Sequence, residues 1–88
     1  MTFAEVKEIL EKANFNMDDC SILDSPTVKA GSGVVVRFEN GVYKIYDTER
    51  NEAFDIVEHT SEDAACREFL KRIIDSFGKF YDLPKDIL

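Results

Sequence analysis

The residues in this 88-residue chain that could do chemistry are one histidine, two cysteines and several neighbouring acids. His59 could act as a general base or a metal ligand, and either Cys20 or Cys66 could pair with it as a nucleophile. One histidine and two distant cysteines, however, supply no recognised zinc spacing, and nothing marks either thiol as activated. We therefore interpret His59 as a packed residue at a strand-to-helix junction and the cysteines as structural thiols, and we expect no metal and no cofactor.

Neighbouring carboxylates are plentiful, and they occur at Asp18-Asp19, at Glu62-Asp63, and at Glu49 with Glu52. Two carboxylates suffice for glycoside hydrolysis, but they need a deep cleft that separates their pKa values. A sheet of the size expected here offers little room for a cleft, and the first pair lacks the further oxygen ligands of an EF-hand loop. The sequence therefore predicts that the protein is not an enzyme.

The charge of the chain is concentrated in its middle. The whole chain has a net charge of −7, and residues 39–63 hold eight acids against Lys44 and Arg50, a net of −6. Nucleic-acid binding is not expected on this ground, because phosphate contacts need Lys and Arg. The longest apolar run, Val34–Val36, is too short to cross a membrane, and the first residues lack the pattern of a secretory signal. We expect a cytoplasmic protein with no membrane contact.

The elements that must position these residues can be read from spacing. Thr2 and Glu5 have capping-box spacing at the start of an amphipathic helix, and Thr60 to Asp63 mark the start of a second one that ends near Gly78. Residues 17–33 are the least legible part; short strands at 21–23 and 27–28 are both open there. The fold class that follows is α+β, with residues 1–88 in a single domain. It comprises an N-terminal helix, a three-stranded antiparallel β-meander and a C-terminal helix packed on one face of the sheet.

The first hairpin is the sharpest structural prediction. Asn40-Gly41 favours a two-residue type I′ turn, which pairs residues 39, 38, 37, 36 and 35 with residues 42, 43, 44, 45 and 46. The face that should meet the helices then carries Val36, Phe38, Tyr43 and Ile45. The other face is mixed and carries Arg37, Glu39, Lys44, Val35, Val42 and Tyr46. That second face could be open to a partner or be partly covered by the N-terminal segment. In the third predicted strand, Phe54 and Ile56 alternate with Asp55 and Val57.

Two resemblances bear on function. The order of elements is similar to that of the double-stranded RNA-binding domain, but only in topology. That family binds phosphates through a basic cluster at the start of its second helix, whereas the matching positions here read Ser61-Glu62-Asp63-Ala64-Ala65. These acids would repel phosphate, so the RNA-binding function is not expected.

The second resemblance rests on three stretches of the chain: Glu39-Asn40-Gly41-Val42-Tyr43-Lys44-Ile45-Tyr46, Glu49-Arg50-Asn51 with Phe54, and Ser61-Glu62-Asp63-Ala64-Ala65-Cys66-Arg67-Glu68-Phe69-Leu70. In these the chain resembles small bacterial immunity proteins of polymorphic-toxin and contact-dependent growth-inhibition systems. Tyr43 stands where tryptophan is commoner in that group, and Asn51 stands where glycine is expected. The resemblance implies a protein that binds and neutralises a cognate secreted toxin domain, of basic character and often a nuclease.

An acidic face would serve such binding, since opposite charges speed association. The residues that we predict to form it are Asp47, Glu49, Arg50, Glu52, Asp55, Glu58, Glu62 and Asp63. The same residues could instead be a solvated rim in which Arg50 pairs with a neighbouring acid, and the protein could be a small acidic regulatory or adaptor module without a toxin partner. An exposed edge strand could pair with a partner or with itself, so that a monomer and a weak dimer both stay open.

Overall fold

The structure, a computed structural model, describes residues 1–87. It has an α+β fold in which one long helix precedes the strands along the chain and another follows them. The bounds of its helices and strands are α1 Phe3–Lys12, β1 Cys20–Ile22, β2 Gly33–Glu39, β3 Val42–Glu49, β4 Glu52–His59 and α2 Glu62–Phe77. Short 3-10 helices occupy Met17–Asp19 and Lys85–Ile87. The predicted order of the two helices and of strands β2 to β4 is confirmed.

The sheet differs from the prediction in having four strands and mixed pairing. Its order is β1-β2-β3-β4, and the three-residue strand β1 runs parallel to β2, with Cys20 beside Val34. A fully antiparallel, three-stranded sheet was therefore wrong. The prediction missed this pairing because a parallel strand returns through a long connection, here residues 23–32, which gives no local turn signal.

Gly33 shows how closely the 3-10 helix Met17–Asp19 approaches the start of β2. A Cβ atom at Gly33 would lie 1.8 Å from the backbone carbonyl oxygen of Asp19, so a larger residue would displace the backbone. Glycine is therefore required where β2 begins beside the end of the 3-10 helix.

Both helices begin at the predicted caps. Thr2 and Glu5 form the complete capping box of α1, and the side chain of Ser61 accepts a hydrogen bond from the backbone N–H of Ala64 at the start of α2. The helices pack on the same side of the sheet, where one core contains Val6 and Leu10 of α1, Phe69 and Ile73 of α2, and the sheet residues Val34, Val36 and Ile45. This core packs α2 against strands β2 and β3.

The predicted register of the first hairpin is confirmed from Glu39↔Val42 to Val35↔Tyr46. One of its core residues was misjudged: Phe38, the second-last residue of β2, is 55% exposed and only its contact with the ring of Tyr43, at a centroid distance of 4.7 Å, covers it in part. Its neighbour Val36 is fully buried, as predicted.

The mixed face of the sheet is largely covered. Val35 and Tyr46 are buried there against Val28, and the Tyr46 hydroxyl donates a hydrogen bond of 2.8 Å to the carbonyl oxygen of Pro26. The cover comes from the connection between β1 and β2, not from α1. Among the residues described, no helix is both long and apolar enough to cross a membrane.

Candidate docking surface

The turn between β3 and β4 presents charged side chains to solvent. Arg50 and Asn51 have φ values of 52° and 60°, the left-handed pair that a two-residue hairpin turn requires. The backbone N–H of Asn51 donates a 2.8 Å hydrogen bond to the carbonyl oxygen of Gly31, which ties the turn to the β1–β2 connection. Glu49 and Glu52 directly oppose each other across this turn, and both are exposed.

None of the turn's charges forms an ion pair within residues 1–87. The salt bridges of the described chain do not include Glu49, Arg50 or Glu52. The alternative in which Arg50 pairs with a neighbouring acid is therefore not what the structure has. Like charges that directly oppose each other in a hairpin destabilise it. The Glu49–Glu52 pair is therefore not explained by the stability of the fold.

Strand β4 forms one edge of the sheet and is exposed along most of its length. Phe54 is 43% exposed and Ile56 is 57% exposed, and the exposed acids Asp55 and Glu58 follow them in the strand. An edge that combines free backbone groups, apolar side chains and charge is a ready site for another chain.

A β-bulge at Asp55 divides this edge. Phe54 pairs with Asp47 and Val57 pairs with Ile45, so Asp55 and Ile56 together oppose a single residue of β3. Asp55 has a φ of 54°, which an aspartate tolerates better than most residues. The bulge places Phe54 and Val57 on the face that meets α2 and Ile56 on the opposite face, whereas simple alternation predicted Phe54 and Ile56 on one face.

Arg72 of α2 holds the bulge in place. Its Nη2 donates a 2.6 Å hydrogen bond to the carbonyl oxygen of Asp55, its Nε donates to Oε2 of Glu68 at 2.9 Å, and its Nη1 lies 3.6 Å from Oδ2 of Asp47. The Arg72 side chain is only 11% exposed. The hydrogen bond from Arg72 lowers the pKa of Glu68 below its usual value, despite the partial burial of that carboxyl.

Asp47 belongs to this network and not to the free acids of the turn. Burial raises the pKa of Asp47, and the negative charge of Asp55 adds to that effect, while Arg72 opposes it. The Asp47 carboxylate already has a cation beside it on the helix-facing side of β3. It therefore faces Arg72 and α2 rather than the open edge of the sheet.

The three residues that could do chemistry, His59, Cys20 and Cys66, are each packed within the fold. His59 is the last residue of β4, with its Nε2 atom 3.6 Å from Oε1 of Glu68. Cys20 and Cys66 are free and buried, and burial raises the pKa of each thiol to about 12. Neither thiol is therefore activated as a nucleophile at neutral pH. Within residues 1–87 no group of three or more His, Cys, Asp or Glu side chains could hold a metal ion.

Two residues of the predicted acidic face lie at the far end of β4. Glu62 accepts a 3.0 Å hydrogen bond from the backbone N–H of Phe3, and Asp63 lies 2.8 Å from the amino group of Met1. This contact lowers the pKa of Asp63. Seven residue steps, about 24 Å in an unbent strand, separate the two ends of β4, and these acids follow the end that is remote from the β3–β4 turn. They join α1 to α2, and the structure does not bring them together with the acids of the turn.

The predicted set thus separates into three groups. Glu49, Arg50, Glu52, Asp55 and Glu58 lie along the turn and edge of the β3–β4 hairpin, and we call these five residues the acidic rim. Asp47 is bound by Arg72, and Glu62 and Asp63 hold the start of α1. The sequence reasoning missed Arg72; its spacing of four residues from Glu68 on one helix was the available signal.

Comparison with known proteins adds no relative: no family model, no curated protein and no solved structure matches the chain. The similarity to immunity proteins therefore rests on the residues of this chain alone.

Proposed function

We propose that this protein binds and neutralises the toxic domain of a secreted bacterial toxin, and that the acidic rim is the surface that meets it. The observation that carries the proposal is the direct opposition of Glu49 and Glu52, neither of which forms an ion pair in the described chain. A like-charge pair weakens a hairpin, so its presence is better accounted for by a basic partner than by the fold.

The arrangement of the rim supports a basic partner further. Exposed acids at Asp55 and Glu58 extend the negative surface from the turn along the free edge of β4. Toxins that cleave nucleic acids have basic clefts that bind phosphate, and an acidic surface of this kind can cover such a cleft. Opposite charges would also speed association, which suits a protein that must capture its target before damage occurs.

The first experiment identifies the partner and tests neutralisation. The tagged protein is purified from its own cells, and the domain recovered with it at equal stoichiometry is expressed in a surrogate bacterial host. We expect that domain to stop growth and co-expression of this protein to restore it. A partner whose expression is harmless would contradict neutralisation and would favour a regulatory or adaptor role.

The second experiment tests the surface with a charge-matched pair of variants. The rim variant carries Glu49→Lys, Glu52→Lys and Glu58→Lys; Asp55 is left unchanged because lysine is strained at a φ of 54°. The control variant reverses three exposed acids outside the hairpin, at Glu8, Glu11 and Asp24. Both variants change the net charge equally, so any difference between them reports the position of the charge.

Three exposed ion pairs at about 1 kcal/mol each correspond to about a hundredfold in affinity. We therefore expect the rim variant to lose at least that factor, and to lose growth rescue, while the control variant stays near the native affinity. Binding of the native protein should also weaken as salt is raised. Equal affinity of the two variants for the partner would remove the acidic rim from the interface.

A further inference from the structure

The register of the sheet shows which backbone groups of β4 are free. Hydrogen-bonded and non-hydrogen-bonded pairs alternate along an antiparallel ladder, and the turn at residues 40–41 sets the phase of that alternation. Lys44 and Thr48 of β3 therefore bond to β2. The residues opposite them in β4, Glu58 and Ala53, direct their N–H and C=O groups away from the sheet. No other backbone group of the described chain bonds to them.

The bulge limits how this edge can be used. The carbonyl oxygen of Asp55 accepts the hydrogen bond from Arg72, so the ladder positions on either side of it form two separate stretches. The longer one runs from Ile56 to His59 and contains both free backbone groups of Glu58. A strand laid along it could form regular hydrogen bonds over that stretch without disturbing the contact of Arg72.

The side chains beside these free groups define what a neighbouring strand should carry. Glu58 and Ile56 lie on the face of the sheet opposite to α2, so a cationic side chain paired with Glu58 could have an apolar neighbour beside Ile56, which is 57% exposed. Cross-strand pairs of opposite charge stabilise a sheet, as do apolar pairs. The edge thus complements an extended segment in which basic and apolar residues are interspersed.

We propose that the outer edge of β4 binds a basic, extended segment of the partner protein, which adds to the sheet as a fifth strand beside Ile56–His59. This inference rests on the proposed function for the existence of a basic partner, and it specifies how that partner is held: main-chain hydrogen bonds to Glu58 supply the register, and the acidic rim selects the charge.

A second copy of this chain fits the same edge less well. Each copy has a net charge of −7, and pairing two β4 strands would bring both sets of Glu52, Asp55 and Glu58 together. Repulsion among these acids opposes self-pairing, and the bulge adds a mismatch. The occupant is therefore a chain of opposite charge.

The test uses a capped peptide of alternating lysine and valine as the probe, with the whole protein followed by NMR. Two control peptides accompany it: one with glutamate in place of lysine, and one with the same lysines and valines but N-methylated at alternate positions. The N-methylated peptide keeps its charge, but along one edge it has methyl groups in place of the backbone N–H donors and cannot pair there with a strand. It therefore separates strand addition from charge attraction.

We expect the lysine–valine peptide to slow amide hydrogen exchange at Glu58 at least about tenfold. The glutamate peptide should give no protection, and the N-methylated peptide should bind at least about tenfold more weakly. Equal binding of the N-methylated peptide, or protection confined to other strands, would overturn strand addition at β4. A dimer that forms through β4 in the absence of peptide would show that a second copy is the occupant.

The outcomes for the two proposals are distinguishable. If the rim variant fails to neutralise the toxic domain while the N-methylated peptide binds normally, the proposed function stands and strand addition fails. If the peptide protects Glu58 while the rim variant neutralises normally, strand addition at this edge stands and the acidic rim is not the neutralising surface.

Discussion

Arg72 is the residue whose loss should most directly alter the presentation of β4. Its side chain makes two hydrogen bonds, to Oε2 of Glu68 and to the carbonyl oxygen of Asp55, and lies near Asp47. A hydrogen bond that involves a charged group contributes about 1.5–3 kcal/mol. Because Glu68 and Asp47 are 26% and 29% exposed, water would replace part of the interaction. We therefore expect Arg72→Ala to lower the free energy of unfolding by about 2–4 kcal/mol.

Urea unfolding followed by circular dichroism measures this loss. For a domain of this size, a dependence of about 1 kcal/mol per molar urea means that the midpoint should fall by about 2–4 M. The control is Arg67→Ala on the preceding turn of α2, where the side chain is 48% exposed and its ion pair with Asp63 is on the surface. That control should lose only about 0–1 kcal/mol.

A conservative variant separates the charge of Arg72 from its geometry. Arg72→Lys keeps the positive charge but cannot reach both Glu68 and the Asp55 carbonyl with one ammonium group. We expect it to recover less than half of the lost stability, and to leave faster amide exchange around the bulge of β4. A loss from Arg72→Ala no greater than that from Arg67→Ala would refute the view that this arginine holds the bulge.

Two further predictions concern the core and the response to pH. Phe69 is fully buried, so Phe69→Ala should lower the free energy of unfolding by about 3–5 kcal/mol, measured by urea unfolding; a loss below about 1 kcal/mol would contradict the assigned core. The pKa of Glu68 is lowered in the folded protein, so its contribution is complete at neutral pH and is lost as the pH falls through that lowered pKa. The pKa of Asp47 is raised, so its charge opposes folding at neutral pH and this effect fades on acidification. Urea midpoints are measured from about pH 7 to about pH 3. At neutral pH, Glu68→Gln should lower the midpoint more than Asp47→Asn does, and the reverse order would contradict the network.

The parts of the fold that could be predicted are those with local signals. The Asn40-Gly41 turn fixed the register of β2 and β3, since a two-residue turn leaves no freedom in pairing. Ser61 predicted the start of α2 because a side-chain oxygen at that position satisfies a backbone N–H of the first turn. In each case the determining residues lie within a few positions of one another.

The parts that could not be predicted depend on residues far apart in sequence. Strand β1 pairs with β2 across the connection 23–32, and its three residues are too few to show a period. The bulge at Asp55 depends on Arg72, which reaches it from another element. For the candidate site, the sequence correctly predicted that the acids of the turn are exposed. It could not show that Arg72 lies beside Asp47.

Under the proposed function, the Glu49–Glu52 pair connects the stability of the hairpin with the binding of a partner. Each glutamate could be replaced by many residues that would pair better across the hairpin, and opposite charges at these positions would contribute about 0.2–1 kcal/mol to the fold. The fold lacks that contribution at the tip of a hairpin that is held by Arg72 at the bulge and by the Asn51–Gly31 hydrogen bond at the turn. A cation from a partner placed between the two carboxylates would remove their repulsion and gain both attractions. The free energy that the isolated protein lacks at this turn is thus available only in a complex with a basic partner.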